Sequence, residues 1–360
     1  MTLDLTPVDQ SSLQLQADAT VTVVIPCYNY ARYLPQAVAS VLGQQGVAVN
    51  IVIVDDASTD DSLAVARALA RRDPRVTVIA HRHNAGPVQT FNDGLSVARG
   101  EFLVRLDADD LLTPGALSRA VAVMRAHPSV GLVYGHPLHF SQDRLPPARS
   151  RQTGLTIWPG RTWLTDRCRT GLNVITSPEV LMRRSVVDVI GGQRPLDHTH
   201  DMEMWLRMSA FCDVAYISGV DQAWHREHAD SLSAQHVDAV RDLLERRDAF
   251  DVLLSGPAPT IVGAADLHAL ARKAIATDAV ELASRQFDRP VADLVLVARM
   301  RELACSLVPD ARQLRGWRGL ERRMAMGARR ASRHPLFFSE RVVRGLLGIY
   351  RRRRWHRRGI

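Results

Sequence analysis

Between residues 21 and 112 one pattern recurs: a short apolar run, a polar turn, then apolar residues at helical spacing. The runs are Val21–Pro26, Asn50–Val54, Val76–Ala80 and Glu101–Leu106, and helical periodicity follows at Tyr33–Gln44, Leu63–Ala70 and Val88–Ala98. Strands apolar at nearly every position must be covered on both faces. Their alternation with helices at short spacing predicts a largely parallel sheet.

A parallel sheet gathers the carboxyl ends of its strands along one edge, where α/β folds place their ligands. Two of these strands end in acids, Asp55-Asp56 and Asp107-Ala108-Asp109-Asp110. Crowded carboxylates repel one another, so a hard divalent cation is the simplest occupant of their midst. The bland reading is a solvated acidic turn: Thr113-Pro114 has the form of a helix start that Asp110 would assist, and Ser58 and Asp61 have capping-box spacing. No GxGxxG follows the first strand and no GxxxxGK[ST] occurs, so the standard dinucleotide and P-loop cradles are missing. A nucleotide diphosphate still fits if a metal held by Asp107 and Asp109 neutralises its phosphates.

Four segments in order, Val24-Ile25-Pro26-Cys27-Tyr28-Asn29, Val54-Asp55-Asp56-Ala57-Ser58-Thr59-Asp60, Asn84-Ala85-Gly86 and Arg105-Leu106-Asp107-Ala108-Asp109-Asp110, resemble the motifs of glycosyltransferase family 2. The resemblance covers roughly residues 20–235. It implies a GT-A-type α/β fold with a mostly parallel central sheet flanked by helices. It further implies a nucleotide-sugar donor (a UDP-sugar first among them), Mn2+ or Mg2+, and transfer with inversion. Carried over by position, Pro26 and Tyr28 line the nucleotide pocket, and Asp56, with Asp55 as the alternative, accepts a hydrogen bond from the base. Asn84 and Gly86 border the nucleotide and donor sugar. Asp107-Ala108-Asp109 is the DXD element, with Asp109 the leading metal ligand and Asp107 on ribose or metal-bound water. Arg105 either offsets this charge at the substrate or forms a plain salt bridge to one of the aspartates. His198-Thr199-His200-Asp201 matches the segment carrying the catalytic base, which makes Asp201 the group that takes the acceptor hydroxyl proton. The family usually has Glu where His200 stands, so the group beside the base here is an imidazole rather than a carboxylate. Trp205 and Arg207, on the next helix, read as a packed aromatic and an ion-paired arginine. Trp224–Ser233 resembles the closing motif, in which His228 joins the metal shell or holds the pyrophosphate, while His225 and His236 read as ordinary histidines.

Residues 141–162 are rich in Pro, Arg, Gln and Gly and read as loop on the acceptor side. Beyond 236 the periodicity turns helical without recognisable chemistry. Domain bounds follow: a flexible N-terminus at 1–19, the transferase domain at 20–235, a helical region at 236–314 and an Arg-rich amphipathic tail at 315–360. From Arg315 onward fifteen arginines stand against Glu321 and Glu340, a net of +13. The whole chain carries +8, so residues 1–314 carry −5. Arginine interleaved with Leu, Phe, Trp and Tyr over 315–358 suits an anionic membrane surface. A solvated or partner-binding tail is the next reading, and nucleic acid the last.

Residues 1–18 lack a basic start followed by an apolar run, no apolar stretch is long enough to span a bilayer, and four dispersed cysteines suit a reducing compartment. The expected place is the cytoplasm, peripherally at the inner face of the membrane. The expected function is a metal-dependent inverting transferase acting on a glycan or lipid-linked acceptor in cell-surface polysaccharide or glycoconjugate synthesis. Two alternatives stand beside it. A sugar nucleotidyltransferase needs a glycine-rich basic opening loop that is absent here, and a non-catalytic scaffold of the same fold would work through its basic tail.

Overall fold

The computed structural model describes residues 19–141, 144–228, 238–255 and 261–360. The expected flexible N-terminus, the 229–233 end of the closing motif and His236 lie outside them. The chain divides into two compact units, Met1–Trp163 with Val174–Ala234 and His356–Gly359, and Leu164–Asn173 with Gln235–Trp355 and Ile360.

The first unit is built on one mixed sheet. Its parallel half runs β3 (Val76–Ala80), β2 (Ala48–Asp55), β1 (Thr20–Cys27), β4 (Phe102–Arg105). In β1, Val21, Val23, Val24 and Ile25 are all fully buried, as a strand covered on both faces requires. Val21, Val23 and Ile25 join one core cluster with Leu34, Val38 and Val41 of α1 (Leu34–Leu42) and with Leu117 and Met124 of α4 (Ala116–Ala126). The other face meets α3 (Gly86–Val97), which approaches closely at Gly94. A Cβ there would stand 2.4 Å from Val24 Cγ1, so the glycine sets the helix-to-sheet distance. Burying each such Val or Ile contributes about 1.5–3 kcal/mol.

Register carries the argument to the site. Cys27 pairs with Asp55, Asp55 with Ala80 and Val24 with Arg105, so the loops after β1, β2, β3 and β4 emerge at one edge. Next to β4 lies β8 (Leu181–Arg183), antiparallel, with Leu103 opposite Met182. The residues that enter β8 therefore sit beside those that leave β4. Beyond it come β6 (Val130–Phe140) and β9 (Asp213–Arg226), and β5 (Leu111–Leu112) pairs Leu111 with Trp224. That pairing brings the end of β9 to the acidic turn.

Three local expectations change. The 141–162 segment is not all loop: β7 (Gly154–Trp158) pairs antiparallel with β9, its Leu155 and Ile157 packed on the core, and α5 (Gly160–Thr170) begins directly after it. Its polar composition hid a strand whose partner is distant in sequence. Thr113 does not cap a helix. Its hydroxyl donates to Asp221 O at 2.6 Å, and α4 starts after Gly115 in the left-handed conformation. Nor does Ser58 form a capping box for α2 (Ser62–Arg72). It accepts from Asn29 N instead, and Asp60 Oδ1 takes the Ser62 N–H at 2.9 Å.

His356–Gly359 belong to this first unit. Tyr216 donates to His356 O and Trp158 to Arg358 O, each at 3.1 Å, and His136 stacks on His356.

The second unit is helical: α8 (Ala239–Ser255), α9 (Ala264–Gln286), α10 (Leu294–Leu307), α11 (Trp317–Met326), α12 (Ala328–Ala331) and α13 (Pro335–Arg358) as far as Trp355. Along α9 the buried face mixes Leu267, Ile275 and Val280 with Ala271, Ala276, Ala279, Ala283 and Ser284, small residues that let neighbouring helices approach closely. The Asp293 carboxylate caps α10 by accepting Leu296 N–H at 2.9 Å. The Arg-rich stretch is thus three helices rather than one. Among the described residues no helix is long and apolar enough to cross a membrane.

Candidate active site

The loops after β1 and β2 are latched together. Asn29, with φ +60°, accepts Thr59 N–H at 2.8 Å through Oδ1, Tyr30 N–H donates to Ser62 Oγ at 2.8 Å, and Ala31 N–H donates to Asp60 at 3.1 Å. This latch leaves Tyr28 exposed above a half-buried Pro26. Asp56 is consumed by the next loop. Its Oδ1 meets His81 Nδ1 at 2.7 Å and Ala85 N–H at 2.8 Å, and its Oδ2 accepts Gly86 N–H at 2.9 Å. Gly86 takes φ +82°, where a side chain would be strained, and opens α3; Asn84 stays exposed beside it. Asp55 differs: Oδ2 accepts Ser58 N–H at 3.2 Å, while the buried Oδ1 has no hydrogen-bond partner.

At the end of β4 and just after it, Arg105 and Asp107 pair with each other, while Asp109 and Asp110 find partners far along the chain. Arg105, buried, grips Asp107 with both terminal nitrogens at 3.1 and 2.9 Å. Burial opposes its charge, but Asp107 and then Asp201 outweigh that and raise its pKa. Asp109 meets His228 Nε2 at 2.8 Å. Burial first, then the nearby Asp110 and Asp107 carboxylates, push its carboxyl well above the usual range. Asp110, fully buried, does not start the following helix. Its Oδ1 accepts Arg226 N–H at 2.8 Å and its Oδ2 meets His225 Nδ1 at 3.0 Å, tying the acidic turn to the end of β9. His225 is therefore part of the acidic cluster rather than an ordinary histidine. Burial works against its charge, but the Asp110 hydrogen bond and the surrounding carboxylates push its pKa up to about 9. Arg226 donates to Asp109 O at 3.0 Å and lies between the Tyr33 and Phe140 rings, 4.6 and 4.5 Å from their centroids. Tyr30 and Tyr33 flank the His228 ring at 5.9 and 5.4 Å.

Asp201 stands in the first turn of α7 (His200–Ser209), with Oδ1 accepting Met202 N–H at 2.7 Å and Oδ2 accepting the Ser177 hydroxyl. Ser177 lies in the segment entering β8 and adopts φ +129°, a region that favours glycine. Glu179 holds it there: its carboxylate accepts Thr176 N–H at 2.7 Å and Ser177 N–H at 3.1 Å. Burial pushes Glu179 up to about 7, partly offset by those N–H groups. His200, beside the base, is buried, and burial lowers its pKa and favours the neutral ring. Trp205 is packed, and Arg207 is ion-paired to Glu203 at 2.9 Å.

Motif reading passed over Ser177 and Glu179 and took His225 for an ordinary histidine. The one signal available for the first two was their place inside the roughly 20–235 stretch that resembles the family. Among the described residues no three His, Cys, Asp or Glu groups converge as a closed metal cage. The Asp109 carboxylate and His228 imidazole nevertheless form a two-donor set, in a cluster where crowding and burial disfavour bare negative charge. A divalent ion sharing its shell with diphosphate oxygens and water fits such a site.

Residues 22–191 match the family model described as glycosyl transferase family 2. An uncharacterized glycosyltransferase of Nostoc sp. is 41% identical over 114 residues, covering 32% of this chain and 35% of that one. The succinoglycan biosynthesis protein ExoO of Rhizobium meliloti is 42% identical over 101 residues, covering 28% of each. The matched segments thus span about a third or less of these relatives' own lengths. The crystal structure of Staphylococcus aureus TarS residues 1-349 in complex with UDP-GlcNAc superposes with a TM-score of 0.56 at 16% identity, covering 86% of this chain and 92% of that one. That likeness shows the GT-A-like fold.

Proposed function

We propose that this chain, whose residues 22–191 match the model described as glycosyl transferase family 2, acts as a member of that family and transfers a sugar, with inversion, from a nucleotide donor to a glycan or lipid-linked acceptor. The observation that carries the reading is the 2.8 Å pair of Asp109 and His228, in a cluster where burial and the Asp110 and Asp107 carboxylates push the Asp109 carboxyl well above the usual range. The donor set suits Mn2+ or Mg2+ held by Asp109 and His228, which supplies charge neutralisation for a departing diphosphate. Asp107, fixed by Arg105 at both oxygens, contacts ribose or a metal-bound water. Pro26 and Tyr28 flank the base, and the exposed Asn84 with the half-buried Gly86 borders the nucleotide and donor sugar. Between the two base-reading candidates, Asp55 is favoured, because Asp56 already carries three hydrogen bonds while Asp55 keeps one oxygen unpaired.

Asp201 takes the acceptor hydroxyl proton as that oxygen attacks the anomeric carbon. The Ser177 hydroxyl and the Met202 N–H fix the carboxylate's orientation, and a neutral His200 adds no competing charge. A UDP-sugar is the first donor to test, since TarS was crystallised with UDP-GlcNAc. The reading assigns catalysis to residues 20–235 and places the chain in the cytoplasm, peripherally at the inner face of the membrane through 315–358, in assembly of a surface polysaccharide or glycoconjugate.

The test is nucleotide release across a panel of nucleotide sugars with Mn2+ or Mg2+, followed by product analysis. One donor should be turned over, with Asp109→Ala and Asp201→Asn each inactive yet folded. Release from none, with the metals supplied, would leave the non-catalytic scaffold as the better account.

A further inference from the structure

The final helix of the second unit is mounted inside out. In α13, Glu340 pairs with Arg323 of α11, Arg341 donates to Asp288 O at 3.1 Å, and Arg344 reaches the Asp288 carboxylate at 3.0 Å. Of the early apolar residues Phe337 alone is buried, beneath the Arg323 guanidinium, 3.9 Å from its ring centroid. The charged side of the helix therefore docks on its own unit. The apolar side faces solvent: Leu336, Phe338, Val342, Val343, Leu346, Leu347, Ile349 and Tyr350 are each between 44% and 64% exposed. At 3.6 residues per turn these eight fall within roughly half of the helix circumference, and Glu340, Arg341 and Arg344 fall on the other half. A soluble helix normally turns the opposite way.

Charge says what covers this face. Exposed Arg351, Arg352 and Arg353 follow it directly, and the stretch from 341 to 360 contains no Asp or Glu. The apolar stretch, Leu336–Tyr350, is about 22 Å long, shorter than the roughly 30 Å of a hydrocarbon core. It suits lying in an interface, with side chains among the acyl chains and arginines at the headgroups.

We propose that the exposed apolar face of α13 lies flat in an anionic lipid surface, with Arg351–Arg353 engaging its phosphate headgroups. This deepens the membrane-surface part of the reading above, and the transferase part stands or falls separately.

The full chain is sedimented with vesicles of phosphatidylcholine alone and of phosphatidylcholine with phosphatidylglycerol. Nucleotide release is measured on the same preparations, so a failed membrane reading and a failed transferase reading are told apart. The expected result is binding to the anionic vesicles only, weakened by salt. Leu346→Ser with Leu347→Ser, and Arg351→Ser with Arg352→Ser and Arg353→Ser, should each lower partitioning at least about tenfold. The melting temperature should stay unchanged, because these side chains are exposed. Equal partitioning of the variants and the parent chain overturns the proposal. So does a failure to bind either vesicle, including the case in which light scattering finds a dimer that the Leu346→Ser, Leu347→Ser variant abolishes. That last outcome would assign the face to a second copy.

Discussion

Ser177 offers a sharp test of how the proposed base is held, because its hydroxyl and its backbone make separable contributions. The hydroxyl donates to Asp201, while the backbone sits at φ +129° under the grip of Glu179. Ser177→Ala removes the hydroxyl and keeps the strain; Ser177→Gly removes both. A hydrogen bond to a charged acceptor contributes about 1.5–3 kcal/mol. If about 2 kcal/mol of that orients Asp201 in the transition state, kcat falls about 30-fold at saturating donor and acceptor. Backbone strain in this region costs on the order of 1–3 kcal/mol. Ser177→Gly should therefore be at least as stable as Ser177→Ala in urea denaturation while being equally slow. Donor KM should not move in either variant. A kcat for Ser177→Ala within twofold of the parent would refute the positioning argument. Restored turnover in Ser177→Gly would show that the loop conformation matters and the hydroxyl does not.

Further expectations follow from the same geometry. Asp109→Asn and His228→Ala should each cut metal-dependent turnover by on the order of 100-fold, since charge stabilisation by a metal is worth several kcal/mol; a titration with Mn2+ that leaves the activation midpoint unmoved in both would remove them from the metal's shell. Asp56→Ala should destabilise the fold by about 2–4 kcal/mol in urea, because Ala85 N–H, Gly86 N–H and His81 lose their acceptor. Asp55→Asn should leave stability nearly unchanged and raise the donor KM, and the reverse pattern would return the base contact to Asp56. Glu179, pushed up to about 7 by burial, holds its proton more tightly folded than unfolded. Its contribution is present below about pH 4.5 and is lost as pH rises toward about 7, a change of up to about 3 kcal/mol. Glu179→Gln should flatten that fall; parallel stability-versus-pH curves for the two proteins would contradict it.

The first hundred residues were readable because their information is local. A fully apolar run reports a strand covered on both faces, and parallel strands place the residues that follow them at a common edge whatever the packing details. The acids at Asp55-Asp56 and Asp107–Asp110 could thus be grouped without coordinates. What each acid does could not be read. Asp110 was expected to start a helix, yet its partners lie at residues 225 and 226, reached only because β5 pairs with β9. Ser177 carries no motif, and only the antiparallel insertion of β8 beside β4 brings its segment to the site.

The same division holds at the C-terminus. Composition determined that residues 315–358 would be basic and amphipathic, since charge and helical period are properties of the chain itself. The tertiary structure alone decided which side of α13 faces outward. Asp288 and Arg323 supply partners for its charged side, and ion pairs and hydrogen bonds to residues far away in sequence set a helix's rotation about its own axis. In the acidic turn, likewise, three neighbouring aspartates of similar appearance acquire different roles: Asp107 from Arg105 beside it, Asp109 from His228, and Asp110 from His225 and Arg226. Local sequence specifies which groups are present, and long-range contact specifies what each one is free to do.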